Sequence, residues 1–100
     1  MSGANGEPDA INRSGGRHAQ TAVLYRREGC HLCEEVEAEA RSLGVVGKMI
    51  IVDIDGDPEL QARYFLRVPV VEVDGREAFE AKMMDRGGKW REKLFSLLVG

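Results

Sequence analysis

The sequence has few cysteines and no long apolar segment. Only two of its 100 residues are cysteines, too few for the multi-bridge disulfide scaffold of a small secreted protein. It contains no run of about 18 apolar residues, so it predicts no membrane-spanning helix. The N-terminus also lacks the charged start and apolar stretch of a secretory signal, which makes the cytoplasm the expected compartment.

Cationic residues are also in short supply. Lys and Arg number 14 against 17 Asp and Glu, which gives a net charge of −3 at pH 7. Because nucleic-acid binding normally requires a clustered cationic surface, this balance argues against a nucleic acid as the main partner. A chain of this length is enough for one compact domain and too short for two. We therefore expect one small monomeric domain without nucleic-acid or membrane partners.

The first part of the chain differs in composition from the rest. Residues 1–20 hold four of the twelve glycines and show neither helical nor strand periodicity. Such a composition is typical of a disordered segment. The sequence therefore predicts a disordered N-terminal tail over residues 1–20 and one folded domain over residues 21–100.

The first half of the domain predicts a strand, a helix and a second strand. The run Ala22–Tyr25 is short, apolar and partly β-branched, as in a buried strand. Apolar residues at spacings of four, four and three then predict one helical face: Leu32, Val36, Ala40 and Leu43. The continuous apolar run Met49–Val52 predicts a strand covered on both faces. This order of elements indicates a parallel crossover unit.

The second half predicts a helix, a hairpin and a last helix. Asp57 and Pro58 are typical of a helix N-terminus, and the apolar face of that helix is assigned to Leu60, Tyr64 and Phe65. Asp74-Gly75 between two apolar runs is a strong signal for an antiparallel hairpin. The last helix is indicated by Trp90, Leu94, Leu97 and Leu98. Together the elements predict an α/β fold of order β-α-β-α-β-β-α, with a four-stranded mixed sheet flanked by three helices.

The residues that carry chemistry are concentrated in Cys30-His31-Leu32-Cys33, at the start of the first predicted helix. Two cysteines three positions apart there are close enough to form a disulfide. The backbone N–H groups and the dipole at a helix N-terminus favour an anion, so Cys30 is predicted to be a reactive thiolate. Cys33, one turn deeper, is suited to attack the mixed disulfide that Cys30 forms.

Charged neighbours of both signs surround Cys30 in the sequence. Arg26, Arg27 and a protonated His31 are predicted to favour its thiolate form, because a nearby positive charge stabilises an anion. Three glutamates oppose them: Glu28, Glu34 and Glu35. The balance between the two sets is a hypothesis that a titration of the thiolate absorbance of Cys30 tests.

Alternative interpretations stay open for the cysteine pair and for a glycine pair. Tetrahedral zinc needs about four ligands, and the two histidines, His18 and His31, add too little to the cysteines, so no metal site is predicted. Cysteines also serve as small core residues. The pair Gly87-Gly88 is either a simple lead-in to the last helix or a place where an anionic ligand approaches backbone N–H groups.

The element order, the Cys30-His31-Leu32-Cys33 motif after the first strand and Val68-Pro69 at the third strand resemble the thioredoxin superfamily. Within it, the sequence looks most like the small glutaredoxin-like proteins, and the resemblance extends from about residue 22 to residue 98. It implies a thioredoxin-like fold of the glutaredoxin type. Two departures are that glutaredoxins usually carry Pro and an aromatic residue between the cysteines, and that their glycine pair follows the hairpin more closely than Gly87-Gly88 does.

The resemblance also implies roles for single residues. Cys30 corresponds to the nucleophile, Cys33 to the resolving cysteine and Pro69 to a cis-proline beside the disulfide. Arg67 stands where glutaredoxins usually have Thr. The positions implied for binding substrate or glutathione are Val68, Pro69, Arg67 and Arg26, with Arg27 as the alternative to Arg26 for meeting a glutathione carboxylate.

The function predicted from these residues is thiol-disulfide exchange. A Cys-His-Leu-Cys dithiol would reduce protein or glutathione mixed disulfides, with glutathione as co-substrate and without a tightly bound cofactor. Two other classes stay open. One is a non-catalytic interaction module that has kept the fold, and the other is a metal or iron-sulfur carrier that uses the same cysteines.

Overall fold

Four strands and three helices alternate in the predicted order β-α-β-α-β-β-α in a computed structural model, which describes residues 21–99. The predicted tail, residues 1–20, lies outside the described residues. The strands are β1 (Ala22–Arg26), β2 (Met49–Asp53), β3 (Val70–Val73) and β4 (Arg76–Glu80). The helices are α1 (His31–Ser42), α2 (Pro58–Tyr64) and α3 (Trp90–Leu98). None of these helices is long and apolar enough to cross a bilayer.

The strands form one mixed sheet with the order β2-β1-β3-β4. β1 pairs in parallel with β2 and antiparallel with β3, and β4 pairs antiparallel with β3. A parallel pair needs a crossover connection, and α1 supplies it between β1 and β2. The structure thus has the predicted thioredoxin-like architecture.

Local sequence signals explain where the elements begin and turn. The carboxylate of Asp57 accepts hydrogen bonds from the backbone N–H groups of Glu59 and Leu60, and Pro58 occupies the first turn of α2. Asp74 and Gly75 both have positive φ, 52° and 84°, as a two-residue hairpin of type I′ requires. The predicted helix start and hairpin are therefore confirmed.

Two clusters of buried side chains lie on the two faces of the sheet. Neighbouring residues of β3, Val70 and Val71, belong to different clusters because successive side chains of a strand point to opposite faces. One cluster joins the sheet to α1 and α3: Leu24, Val36, Val71, Phe79, Trp90 and Leu94. The other includes the cysteine pair: Cys30, Cys33, Ile54, Tyr64, Val68 and Val70. The cysteines are therefore anchored in the core through the second cluster.

The prediction that the second strand is covered on both faces is wrong. β2 lies at the edge of the sheet, where Ile50 and Ile51 are 53% and 40% exposed. A continuous apolar run identifies a strand, but the position of that strand in the sheet decides how much of it is covered.

Two residues assigned to helix faces are also exposed. Leu32 is 39% exposed, because the buried face of α1 consists of Cys33, Val36 and Ala40. Spacings of three and four fit that face as well as the predicted one. Phe65 is 49% exposed and lies outside α2, as its C-cap residue.

Candidate active site

Cys30 and Cys33 are joined by a disulfide at the start of α1, with their Cα atoms 5.2 Å apart. Cys30 is the N-cap residue, and its extended backbone (φ −95°, ψ 104°) lets its side chain turn back over the first helical turn. The backbone N–H of Cys33 donates a hydrogen bond of 3.1 Å to the Sγ of Cys30. After reduction the same N–H and the helix dipole would stabilise a thiolate on Cys30.

The two cysteines differ slightly in burial. Cys30 is 7% exposed, whereas Cys33 is completely buried. Because an exchange reaction needs a reachable sulfur, Cys30 is the better placed of the two to meet an incoming disulfide. Cys33 lies one turn deeper and is screened by the second core cluster.

Val68 and Pro69 lie beside Cys30. The carbonyl oxygen of Val68 is 4.0 Å from the Sγ of Cys30, across 38 positions of sequence. The Val68-Pro69 peptide bond is cis, as the resemblance implies. The backbone N–H of Val68 donates to the carbonyl oxygen of Tyr64 at 3.0 Å. The carbonyl of Val68 is therefore the backbone group that faces the disulfide.

Two of the three side chains predicted to stabilise the thiolate make their polar contacts with carboxylates. Arg26 donates to Glu37 at 2.7 Å and to Asp53 at 3.0 Å, and the hydrogen bond with Glu37 raises the pKa of Arg26. The imidazole Nε2 of His31 lies 3.1 Å from a carboxylate oxygen of Glu35, on an exposed face.

Arg27, the third of them, packs against an aromatic ring. Its guanidinium carbon lies 4.7 Å from the centre of the Phe65 ring, a cation–π distance. Its Nε is buried and has no hydrogen-bond partner within residues 21–99. The contact joins the loop that leads to Cys30 with the loop that leads to Val68. None of the three predicted side chains hydrogen-bonds to Cys30. The group that donates a hydrogen bond to the Sγ of Cys30 is the backbone N–H of Cys33.

Arg67, assigned to substrate binding, is held by two carboxylates of the chain itself. It forms ion pairs with Glu77 and, at 3.2 Å, with Glu80. The hydrogen bond with Glu77 raises the pKa of Arg67 and lowers that of Glu77. The backbone carbonyl of Arg67 also accepts from the N–H of Ala81. These contacts fasten the segment before Val68 to β4.

A pair of tyrosines that was not among the predicted site residues supports the segment that leads to Val68. Tyr25 and Tyr64 stack with ring centres 4.5 Å apart, and their hydroxyl groups lie 3.3 Å and 3.2 Å from the carboxylate of Glu72. Burial raises the pKa of both tyrosines. The alternation in β3 places Glu72 on the face of Val70. The pairing of β1 with β3 brings Tyr25 to the same face. The sequence does not show this contact because the two strands are far apart in the chain.

A groove of about 320 Å³ borders the site on the side of Leu32. Leu32 of α1 lines it together with Met84 and Trp90. Its charged lining has both signs: Glu35, Asp85, Arg86 and Arg91. Among residues 21–99, no three or more His, Cys, Asp and Glu side chains are grouped so that they could hold a metal ion.

The carboxylate of Asp85 caps the N-terminus of α3. This helix begins two residues after the glycine pair Gly87-Gly88. Its carboxylate accepts from the backbone N–H groups of Lys89 at 3.1 Å and Trp90 at 2.9 Å. These hydrogen bonds, that of Lys89 first, lower the pKa of Asp85. One interpretation of Gly87-Gly88 was that an anionic ligand approaches backbone N–H groups there. The carboxylate of Asp85 already occupies the N–H groups of Lys89 and Trp90 at this helix start.

Two solved structures are similar to this chain. A search of curated proteins gave no match. The solution NMR structure of protein Ne2328 from Nitrosomonas europaea is 34% identical, with a TM-score of 0.55, over 70% of this chain and 85% of that chain. The X-ray structure of protein XcR50 from X. campestris is 40% identical, with a TM-score of 0.47, over 61% of this chain and 80% of that chain.

A family model supplies the assignment. The model described as "Glutaredoxin-like domain (DUF836)" matches residues 21–94. This match spans all four strands, α1, α2 and the first half of α3. It includes the cysteine pair and the Val68-Pro69 segment that the structure brings together. The chain therefore belongs to the glutaredoxin-like domain family, within the thioredoxin superfamily.

Proposed function

We propose that this protein is a thiol-disulfide oxidoreductase that reduces protein or glutathione mixed disulfides through Cys30 and Cys33. One observation carries the proposal. The Sγ of Cys30 sits at the N-cap of α1, where it accepts the N–H of Cys33 at 3.1 Å, and its partner sulfur is within bonding reach. A site of this kind stabilises the attacking thiolate and also provides the second thiol that completes the reaction.

The reaction starts from the reduced dithiol. The thiolate of Cys30 attacks one sulfur of the substrate disulfide, so a Cys30–substrate bond forms and the other substrate sulfur leaves as a thiolate, which takes up a proton. Cys33 then loses its proton and attacks the Sγ of Cys30. This step forms the Cys30–Cys33 disulfide and releases the second substrate sulfur as a thiol. Two electrons pass from the protein to the substrate.

The burial of the two sulfurs supports this order of attack. Cys30 is the less buried of the two, at 7% exposure, and Cys33 is completely buried. Regeneration needs two electrons from a thiol reductant, for which we propose glutathione or a dithiol protein. Two reductant thiols are then oxidised to one disulfide as the Cys30–Cys33 bond is reduced.

The test compares the wild type with Cys30→Ser and Cys33→Ser. Each protein is reduced with a small dithiol, desalted and mixed with an excess of oxidised glutathione or of a disulfide-bonded peptide, and the products are identified by mass spectrometry. We expect the wild type to form its internal disulfide, Cys33→Ser to stop at a mixed disulfide on Cys30, and Cys30→Ser to remain unreacted. If Cys30→Ser and the wild type react at the same rate, the proposal is wrong.

A further inference from the structure

We infer that Arg67 is a positioning residue of this site and does not itself contact the substrate. Its ion pairs with β4 hold the next residue, Val68, beside Cys30. The inference rests on the proposed function and deepens it. It gives Arg67 a different role from the one that the resemblance implied, which was the binding of substrate or glutathione.

The backbone and the side chain of Arg67 are both fixed by internal partners. Its backbone N–H donates to the carbonyl oxygen of Tyr64 at 2.8 Å, and its own carbonyl accepts from the N–H of Ala81 at 3.2 Å. Its guanidinium forms ion pairs with Glu77 and, at 3.2 Å, with Glu80. Two charge-assisted contacts fix the orientation of a planar guanidinium better than one contact does. Arg67 is therefore held between α2 and β4, with its guanidinium at β4.

Val68 follows Arg67 directly, so a movement of Arg67 also moves Val68. The N–H of Val68 donates to Tyr64 at 3.0 Å. Its carbonyl oxygen lies 4.0 Å from the Sγ of Cys30 and is therefore a near neighbour of any sulfur that becomes bonded to Cys30. The position of this carbonyl affects how a substrate disulfide aligns with the attacking sulfur, and the alignment of reacting groups strongly affects the rate.

Glu77 connects Arg67 to Tyr64, the second residue that supports Val68. One carboxylate oxygen of Glu77 pairs with Arg67, and the other accepts the hydroxyl of Tyr64 at 3.2 Å. The backbone carbonyl of Tyr64 in turn accepts the N–H groups of Arg67 and Val68. A substitution of Glu77 therefore loosens the segment before Val68 from β4, without a change in the segment itself.

Two roles of Arg67 would give opposite effects of one substitution. If Arg67 bound a carboxylate of the substrate, Glu77→Gln would remove a competing internal carboxylate and speed the reaction with an anionic disulfide. If Arg67 positions Val68, the same substitution slows the reaction with any disulfide, charged or uncharged. Glu80→Gln should act in the same direction as Glu77→Gln, because Glu80 holds the Nε of the same guanidinium.

The experiment measures single-turnover oxidation of the reduced protein at pH 7 by acid quench and mass spectrometry. Two disulfides are compared: oxidised glutathione, which is anionic, and bis(2-hydroxyethyl) disulfide, which is uncharged. The variants are Arg67→Gln, Glu77→Gln, Glu80→Gln and the double variant of the first two. Lys82→Gln is the matched control, because the Lys82 ammonium also lies near Glu80, at 3.9 Å, but outside the positioned segment. Alkylation of the reduced cysteines by iodoacetamide, measured in parallel, reports whether the thiols keep their environment.

We expect Arg67→Gln and Glu77→Gln each to slow the reaction with both disulfides by about fivefold, the scale of one partly exposed ion pair. The double variant should be no slower than Arg67→Gln, because both substitutions break the same pair. Lys82→Gln should react as the wild type does, and no variant should change the alkylation rate.

Four results would overturn the inference: faster reaction of Glu77→Gln with oxidised glutathione, a loss confined to oxidised glutathione, wild-type rates in Arg67→Gln, or a changed alkylation rate in the slow variants. The first two would make Arg67 a substrate contact, and the last would mean that the substitution disturbs the cysteines themselves. If the wild type reacts with neither disulfide faster than Cys30→Ser does, the proposed function itself has failed.

Discussion

The carbonyl oxygen of Val68 lies 4.0 Å from the Sγ of Cys30, although 38 positions separate the two residues. This contact brings the cysteine motif and the proline segment into one site. The loop that holds Val68 is fastened by Tyr64 and Arg67, whose own partners lie on β3 and β4. We therefore expect substitutions of these supporting residues to change the free energy of unfolding. Differences between the two cysteines should appear in their reactivity.

The first prediction concerns the order in which the sulfurs react. In the reduced protein, a limiting amount of an alkylating agent should modify Cys30 at least about tenfold faster than Cys33, because Cys33 is completely buried and reactivity follows access. Peptide mapping by mass spectrometry measures the ratio. Preferential modification of Cys33 would show that the assigned roles of the two cysteines are reversed.

The second prediction concerns the ion pair between Arg67 and Glu77. Replacement of Glu77 by Gln should lower the free energy of unfolding at pH 7 by less than about 1 kcal/mol, because both side chains are more than one-third exposed and water screens the pair. Glu28→Gln is the control, since Glu28 is 87% exposed and only 4.0 Å from Arg26. Urea unfolding measures both variants, and a loss for Glu28→Gln equal to that for Glu77→Gln would contradict the assignment.

The same ion pair gives a dependence on pH with a defined sign. Arg67 lowers the pKa of Glu77 below its ordinary value of 4.5 in the folded protein. The stabilisation is therefore fully present above pH 4.5 and disappears as the pH falls through the lower, folded-state pKa. We expect the difference between the wild type and Glu77→Gln to shrink on acidification, and a difference that grows instead would contradict this sign.

The third prediction concerns the stacked tyrosines. Tyr25 and Tyr64 are the only two tyrosines of the chain, so the tyrosinate absorbance reports on this pair alone. Burial raises the pKa of both above 10.0, and the absorbance of the folded protein should rise at higher pH than that of the urea-unfolded protein. Stability should be unaffected below pH 10 and fall as the pH rises through the folded-state values. Coincident titration curves would contradict the burial of the pair.

The fourth prediction concerns the start of α3. Asp85→Ala removes the carboxylate that accepts from Lys89 and Trp90, and loss of such a cap destabilises a helix. We expect a lower melting temperature by circular dichroism. Asp55→Ala serves for comparison, because its carboxylate accepts one N–H, that of Glu28, outside any helix start. An unchanged melting temperature for Asp85→Ala would contradict the capping role.

Local features of the site were predictable because neighbouring residues decide them. The spacing of Cys30 and Cys33 and the cap formed by Asp57 involve contacts within one helical turn, and the hairpin at Asp74-Gly75 depends on the φ angles of two adjacent residues. The resemblance supplied the cis bond at Pro69. The exposure of Leu32 was not predictable, since two overlapping helical faces fit the same apolar spacing.

The sequence by itself therefore determined the order of elements, the start of α2 and the spacing of the disulfide, because these depend on backbone conformation and on hydrogen bonds between near neighbours. Only the tertiary structure decided that β2 is an exposed edge and that Val68 meets Cys30. It also decided the partners of Arg26 and Arg67, which are carboxylates on other elements. The physical reason is that a charged side chain pairs with whichever opposite charge the packing of strands and helices brings within reach, and sequence spacing does not specify that distance.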